Sequence, residues 1–140
     1  MKWKIEADDL KAKAPKHILF LCVANSARSQ MAEGIARSLA PTSVKISSAG
    51  SKPSKVNPLS IKVLSELNID ITSHTSKSVD DVDPKTVDAV ITLCAEEVCP
   101  AFLGKATRLH WGLPDPSASI ESFRAVRDEL VIRLSYLFKK

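Results

Sequence analysis

The stretch His17-Ile18-Leu19-Phe20-Leu21-Cys22-Val23-Ala24-Asn25-Ser26-Ala27-Arg28-Ser29 decides the fold. Ile18 to Val23 is an unbroken apolar run of strand length, the pattern of a parallel strand buried on both faces. Ser29 to Ala40 then repeats apolar residues at helical spacing, with Met31, Ile35 and Leu39 sharing a face with Ala32 and Ala36. The pattern predicts that Cys22 ends a strand and that Arg28 stands where a helix begins. Small residues between them let the backbone curl so that several N–H groups face inward, beside a helix N-terminus that adds partial positive charge. The result is a cradle for a tetrahedral oxyanion, with the amides of Val23, Ala24, Asn25, Ser26, Ala27 and Arg28 as donors. The Arg28 side chain closes it with a forked, permanently charged donor set, and the same field favours the thiolate of Cys22. A nucleophile then lies under a bound oxyanion. The bland alternative is a core cysteine beside a surface arginine.

Composition narrows the class. The 140 residues fit one domain with one core, and a hydrophobic content of 44% is ordinary for a soluble globular protein. No apolar run approaches the roughly 20 residues of a membrane span, and charges before Pro15 argue against a signal peptide, so a cytoplasmic location and no membrane partner are expected. The net charge is +4, but the lysines are scattered and no basic helix interleaved with aromatics is present, which argues against nucleic acid. Three cysteines are too few, and odd in number, for a secreted disulfide framework. Catalytic or redox use in a reducing compartment is favoured.

Outward from the opening stretch, residues 1–16 read as an appended arm, with Trp3, Ile5 and Leu10 packing loosely as a short helix or strand, ahead of a single domain over 17–140. Val44 to Gly50 alternates as an edge strand, and Asn57-Pro58 caps a helix carrying Ile61, Leu64 and Leu67. Asp70 to Pro84 is a polar loop with at most a helical turn near Asp80 to Lys85, and its length hints at function. Val87 to Cys94 holds a third buried strand and Thr107 to Trp111 a fourth. After the rigid turn Gly112-Leu113-Pro114-Asp115-Pro116, a long helix from Ser117 or Ser119 closes the chain. Alternating strands and helices imply an α/β three-layer sandwich, a four-stranded parallel sheet flanked by helices. Ligands of such sheets bind beyond the carboxyl ends of the strands, so Cys22, Cys94 and Asp115 are predicted to meet at one rim. His74 and His110 read as structural, His17 as exposed, and Trp111 and Phe123 as core.

The cysteine, five residues, arginine and serine behind an N-terminal strand resemble the low-molecular-weight protein tyrosine phosphatase family, and Asn25 to Gly34 resembles its arsenate reductase branch. The resemblance covers roughly residues 16–138. It implies a phosphatase-like fold and a thiol relay that detoxifies arsenic. Cys22 attacks arsenate held by the loop, Cys94 attacks the resulting adduct at sulfur as arsenite leaves, and Cys99 takes over a redox-active disulfide for an external reductant. Cys99-Pro100 matches the family's last cysteine, although Ala95 to Val98 is a short spacer. Spacing alone leaves Cys94 and Cys99 readable as buried structural thiols. The resemblance also implies Asp115 as general acid, against its plain reading as a turn former. Ser117 stands where phosphatases usually carry an aromatic residue that holds a phenyl substrate. Ser29 and Asn25 are expected to hydrogen-bond within the loop.

Some such reductases bind potassium beside the loop. Asn25, Glu33 and Ser48 match three of its positions, but the fourth, usually an acid, is Lys77. An ammonium there is expected to neutralise Glu33 in the ion's place, the alternative being a plain surface lysine, so no metal and no tightly bound cofactor is expected. Thioredoxin is the favoured reductant, with glutaredoxin and glutathione as the alternative, and phosphate or sulfate should bind as arsenate analogues. Two rival readings are a phosphatase that hydrolyses monoesters through phospho-Cys22, and a non-enzymatic oxyanion-binding module.

Overall fold

A computed structural model describes residues 2–94 and 106–139, so Cys99 lies outside the described residues. The apolar run forms β1 (His17–Cys22), buried at every position, and the periodic segment after it forms α2 (Arg28–Leu39). With α1 (Lys2–Ala12), β2 (Lys45–Gly50), α3 (Pro58–Ser65), β3 (Ala89–Thr92), β4 (Thr107–His110) and α4 (Ile120–Leu137), the chain alternates strand and helix. The four strands are all parallel, in the order β2-β1-β3-β4, which places β2 at an edge and β1 in the interior.

The caps fall where the local chemistry places them. The Asn57 side chain accepts from Leu59 N ahead of Pro58, and Ser119 accepts from Ser122 N at the start of α4. Asn68 takes a left-handed conformation (φ 61) after α3, a position asparagine tolerates. The polar loop after α3 carries two 3-10 turns, Val79–Asp81 and Pro84–Thr86. Its residue Ser78 bridges Gly50 at the end of β2.

The two faces of the sheet are covered unequally. Ile18, Phe20, Ile46, Ala89, Ile91 and Leu109 face the main core, which all four helices share. Leu19, Leu21, Ala49 and Val90 face a smaller cluster that includes Val87 and is capped by Val79, Val82 and Ala106. Trp111 and Phe123 are core residues as expected, whereas Leu39 and Leu67, at the ends of their apolar stripes, are each 40% exposed.

Two expectations are overturned. The N-terminal segment does not pack loosely: it forms a helix whose Ala7 and Leu10 are fully buried in the main core against α4, with only Ile5 of the three anticipated anchors left exposed. His17 is not exposed but buried. Its Nδ1–H donates to the Thr86 carbonyl at 3.0 Å, and its Nε2 accepts from Ser47 Oγ at 2.8 Å. A carbonyl can only accept, so this partner selects the Nδ1–H tautomer and ties β1 to β2 and to the loop before β3.

Burial pushes the His17 imidazole below its ordinary value of 6.5, with Lys45 adding to the effect and the Thr86 carbonyl and Asp88 opposing it. Burial likewise lowers His74. The unfolded chain therefore takes up protons on these groups at a higher pH than the folded one, so folding stability rises with pH in the window below about 6.5. Denaturant midpoints measured from about pH 5.5 to 7.5 should climb and then level off, and His17→Gln should flatten part of that climb. An unchanged slope in the variant would contradict the buried, neutral assignment.

Candidate active site

The carboxyl end of β1 turns directly into the N-terminus of α2. Cys22 is the last strand residue, and Arg28 the first helical one. Ala27 at the N-cap supplies no side-chain cap, and the first turn of α2 carries no acid, so no side chain takes the place of an anion at this helix end.

What shapes the loop between them is the fate of its carbonyl groups. Val23 O accepts from Lys52 N at 2.9 Å, and Ala24 O accepts from Ser54 N at 3.2 Å and from Ser76 Oγ at 2.9 Å. Asn25 O accepts from Gln30 Nε2 at 3.2 Å, and Ser26 O from Asn57 N at 3.0 Å and Ser60 Oγ at 3.3 Å. Four successive carbonyls are thus held: one by Gln30 of α2, and three by the chain after β2, the start of α3 and the loop after it. Among the described residues no peptide is cis, so the N–H across each of these bonds, at Ala24, Asn25, Ser26 and Ala27, points opposite to its tied carbonyl. The tertiary ties therefore set the shape of the loop.

Gly50 makes the tight approach possible. A Cβ on it would lie 2.3 Å from Val23 O, 2.8 Å from Cys22 O and 2.9 Å from Asn25 N, all of them backbone atoms with nowhere to go. The end of β2 touches the loop itself.

Asn25 occupies the left-handed region (φ 47) and is fully buried. Its Oδ1 accepts from the backbone Lys77 N at 2.8 Å and from Gln30 Nε2 at 3.0 Å. A backbone N–H can only donate, so this bond orients the amide and aims Nδ2 at Ser29 Oγ (2.7 Å) and Ser48 Oγ (3.0 Å). Because Ser29 Oγ already accepts from Asn25, its own proton is left for Cys22 Sγ, 2.8 Å away. The sulfur thus has the Ser29 hydroxyl as its hydrogen-bond partner inside the loop. Cys22 itself is buried under the loop, only 3% exposed.

The chain of bonds continues to a buried carboxylate. Ser48 Oγ donates to Glu33 Oε1 in a short hydrogen bond, while Arg37 Nη2 lies 2.9 Å from Glu33 Oε2 and Lys77 Nζ 3.5 Å from Oε1. His74 donates from Nδ1 to Gln30 Oε1 at 3.0 Å, which turns its Nε2 toward Glu33. An isolated carboxylate buried to this degree would cost several kcal/mol, and two cations with a hydroxyl offset that cost. Asn25, Ser48 and Glu33 thus meet in one cluster, and the Lys77 ammonium faces the carboxylate there. Arg37 and His74 complete the cluster, and spacing did not single out Arg37.

The other rim residues lie at the ends of the neighbouring strands. Leu93 N donates to Leu21 O, so Cys94 follows one residue beyond the position paired with Cys22, and it is buried. Cys22 and Cys94 are not joined to each other by a disulfide. Arg28 is 6% exposed and donates from Nη1 to the Leu113 carbonyl at 2.9 Å, which joins it to the turn after β4. Asp115, two residues on, is exposed and accepts from Ser117 N at 3.1 Å through Oδ1, so its turn-forming role is real. It shares a segment with the arginine's anchor, and the turn lines a cavity of about 440 Å³ against α4. Residues that the sequence reading did not assign to the site are Gln30, Gly50, Ser60, Ser76 and Leu113. Of these, only the glutamine, a polar residue in the third position of an otherwise apolar-faced helix, carried a local signal.

Residues 17–140 match the family model for low molecular weight phosphotyrosine protein phosphatase. The chain belongs to this family. It is 43% identical over 118 residues to an arsenate reductase of Bacillus cereus (strain G9842), a match covering 82% of this chain and 88% of that protein. Among solved structures it resembles an arsenate reductase in the phosphate binding state, with a TM-score of 0.77 at 35% identity over 88% of this chain and 96% of the other. It also resembles a thioredoxin-dependent arsenate reductase of Corynebacterium glutamicum, with a TM-score of 0.71 at 29% identity over 99% of this chain and 69% of that one.

Gly50→Ala should leave the chain folded but push the loop open. We expect phosphate protection of Cys22 from iodoacetamide to weaken by about tenfold or more, the loss of roughly one good charged hydrogen bond. Undiminished protection would show that Gly50 does not set the loop.

Proposed function

We propose that this protein reduces arsenate to arsenite, and that Cys22, Cys94 and Cys99 carry the electrons. The observation that supports this reading above the others is the pairing of a thiol beneath an amide cradle with a second thiol at the end of the adjacent strand. The Cys22 thiolate attacks arsenic while the loop amides and Arg28 hold the oxyanion, and the departing oxygen leaves as water after taking a proton from Asp115. The Cys94 thiolate then attacks the Cys22 sulfur. The sulfur–arsenic bond breaks with its electron pair moving to arsenic, which leaves as arsenite, and a Cys22–Cys94 disulfide forms. Attack by Cys99 on Cys94 releases the Cys22 thiolate and leaves Cys94–Cys99 as the pair to be reduced. Thioredoxin, a dithiol protein suited to an exposed disulfide, is the reductant we assign, in the cytoplasm. Among the described residues no helix is long and apolar enough to cross a membrane.

Hydrolysis of phosphate esters is the second reading, favoured by the family match, and it needs only Cys22, Arg28 and Asp115. The two diverge at Cys94. Cys94→Ser should cut arsenate turnover with thioredoxin, thioredoxin reductase and NADPH at least about a thousandfold while sparing hydrolysis of a phenyl phosphate. Cys99→Ser should stop after one arsenite per chain. Sustained turnover in Cys99→Ser would end the relay.

No tightly bound cofactor is assigned, and we assign the charge role of a potassium ion to Lys77. Replacing potassium by choline at constant ionic strength should leave kcat/KM unchanged within about a factor of two. A strong potassium stimulation would transfer that role back to an ion.

A further inference from the structure

The family match begins at residue 17, yet the helix before it reaches the segment that positions the site. Trp3 packs edge-on against Trp111, with ring centroids 6.2 Å apart and planes at 79°, and edge-on against Tyr136 of α4 at 5.5 Å and 86°. The Arg133 guanidinium lies 5.4 Å from the Trp3 ring and 5.7 Å from the Trp111 ring, so one cation faces both indoles. Tyr136 in turn donates its hydroxyl to Asp8 at 2.9 Å, which clamps the tip of α4 to α1.

Trp111 is the first residue beyond β4. Its backbone N–H donates to Thr92 O at 2.8 Å, and Leu113 N donates to Leu93 O at 3.0 Å, so the sheet ladder runs on into the turn. Leu113 O is the acceptor of the Arg28 Nη1 bond. The Trp111 ring is 1% exposed, and its indole N–H has no acceptor among the described residues. A buried donor without an acceptor is unfavourable, so the ring is held here for its shape. A rigid indole, wedged between Trp3 on one side and the sheet on the other, sets where the next two residues go. A continuous path therefore runs from the Trp3 ring through Trp111 and the Leu113 carbonyl to the guanidinium.

We propose that Trp3, on a helix outside the matched family residues, is a positioning residue that holds the Leu113 carbonyl and through it the Arg28 guanidinium over the oxyanion cradle. The inference rests on the reading of Arg28 as an oxyanion ligand. Without the Trp3 edge, Trp111 gains room, the Leu113 carbonyl shifts, and the guanidinium loses its fixed second anchor. Truncating Trp3 then weakens oxyanion binding without touching any residue of the loop.

The test uses the full chain in its reduced form. Inorganic phosphate protects Cys22 from iodoacetamide, with alkylation read at the Cys22 peptide by mass spectrometry, and urea midpoints are measured in parallel. Trp3→Ala should need about tenfold more phosphate for half protection, at urea concentrations far below its unfolding transition, and Trp3→Phe, which keeps a ring edge, should restore most of the loss. Trp3→Leu keeps apolar volume without an aromatic edge and carries the same expectation should Trp3→Ala not fold. A lowered urea midpoint with unchanged phosphate protection in these variants would make Trp3 a stabilising residue only and overturn the proposal. If phosphate fails to protect even the wild-type Cys22, the oxyanion reading itself falls, a result distinct from failure of the Trp3 inference.

Discussion

Each peptide between Val23 and Ala27 is trans, so tying its carbonyl outward turns its amide inward, and that constraint organises this molecule. The ties come from Lys52 and Ser54 after β2, from Asn57 and Ser60 around the start of α3, and from Ser76 in the long loop that follows. Five residues from three stretches of chain distant in sequence thus serve one short loop. The long polar segment after α3, which buries little apolar surface, is explained by this duty. Its backbone and hydroxyl groups hold the outside of the cradle, and its Lys77 N–H orients the Asn25 amide.

Direction is the second consequence. Hydrogen bonds around Asn25 have only one consistent assignment, because a backbone donor at one end forces the amide's donors toward two serines. One serine passes its proton to a carboxylate that two cations already neutralise, and the other faces the nucleophilic sulfur. Positive charge at Lys77 and Arg37 is therefore separated from the thiol by a wire of neutral groups. The cluster therefore acts on the loop's shape, through hydrogen bonds rather than through direct contact of its cations with the sulfur. Burial of Glu33 without these partners would be prohibitive, so the loop and the cluster stand or fall together.

The parallel sheet brings the second thiol within reach at little cost. Neighbouring parallel strands end at the same rim, so a cysteine just past β3 lies beside one at the end of β1 without any special loop. The turn after β4 completes the rim from the other side, and Arg28 bridges to it across the cradle. Unequal covering of the sheet follows from the same economy. The helices, α1 included, share one large core, while the opposite face is covered by a smaller cluster that Val79, Val82 and Ala106 cap.

Much of this was legible in the chain itself. A buried parallel strand is apolar throughout because both its faces are dry, so Ile18 to Val23 could not be a half-exposed strand, and the helical period after it placed Cys22 and Arg28 at the junction. Asn57 before Pro58 marked a helix start because asparagine caps and proline suits the first turn. These are local rules, and they hold before any folding partner is known. The burial of His17, the integration of α1 into the core, the service of Gly50, Gln30, Ser76 and Leu113 to the site, and the direction of the Asn25 amide were decided by tertiary structure alone. Each depends on a partner 30 or more residues away, or on the absence of a side chain where two backbones meet. Period and composition describe one segment's environment on average; they do not say which distant donor will reach a given carbonyl.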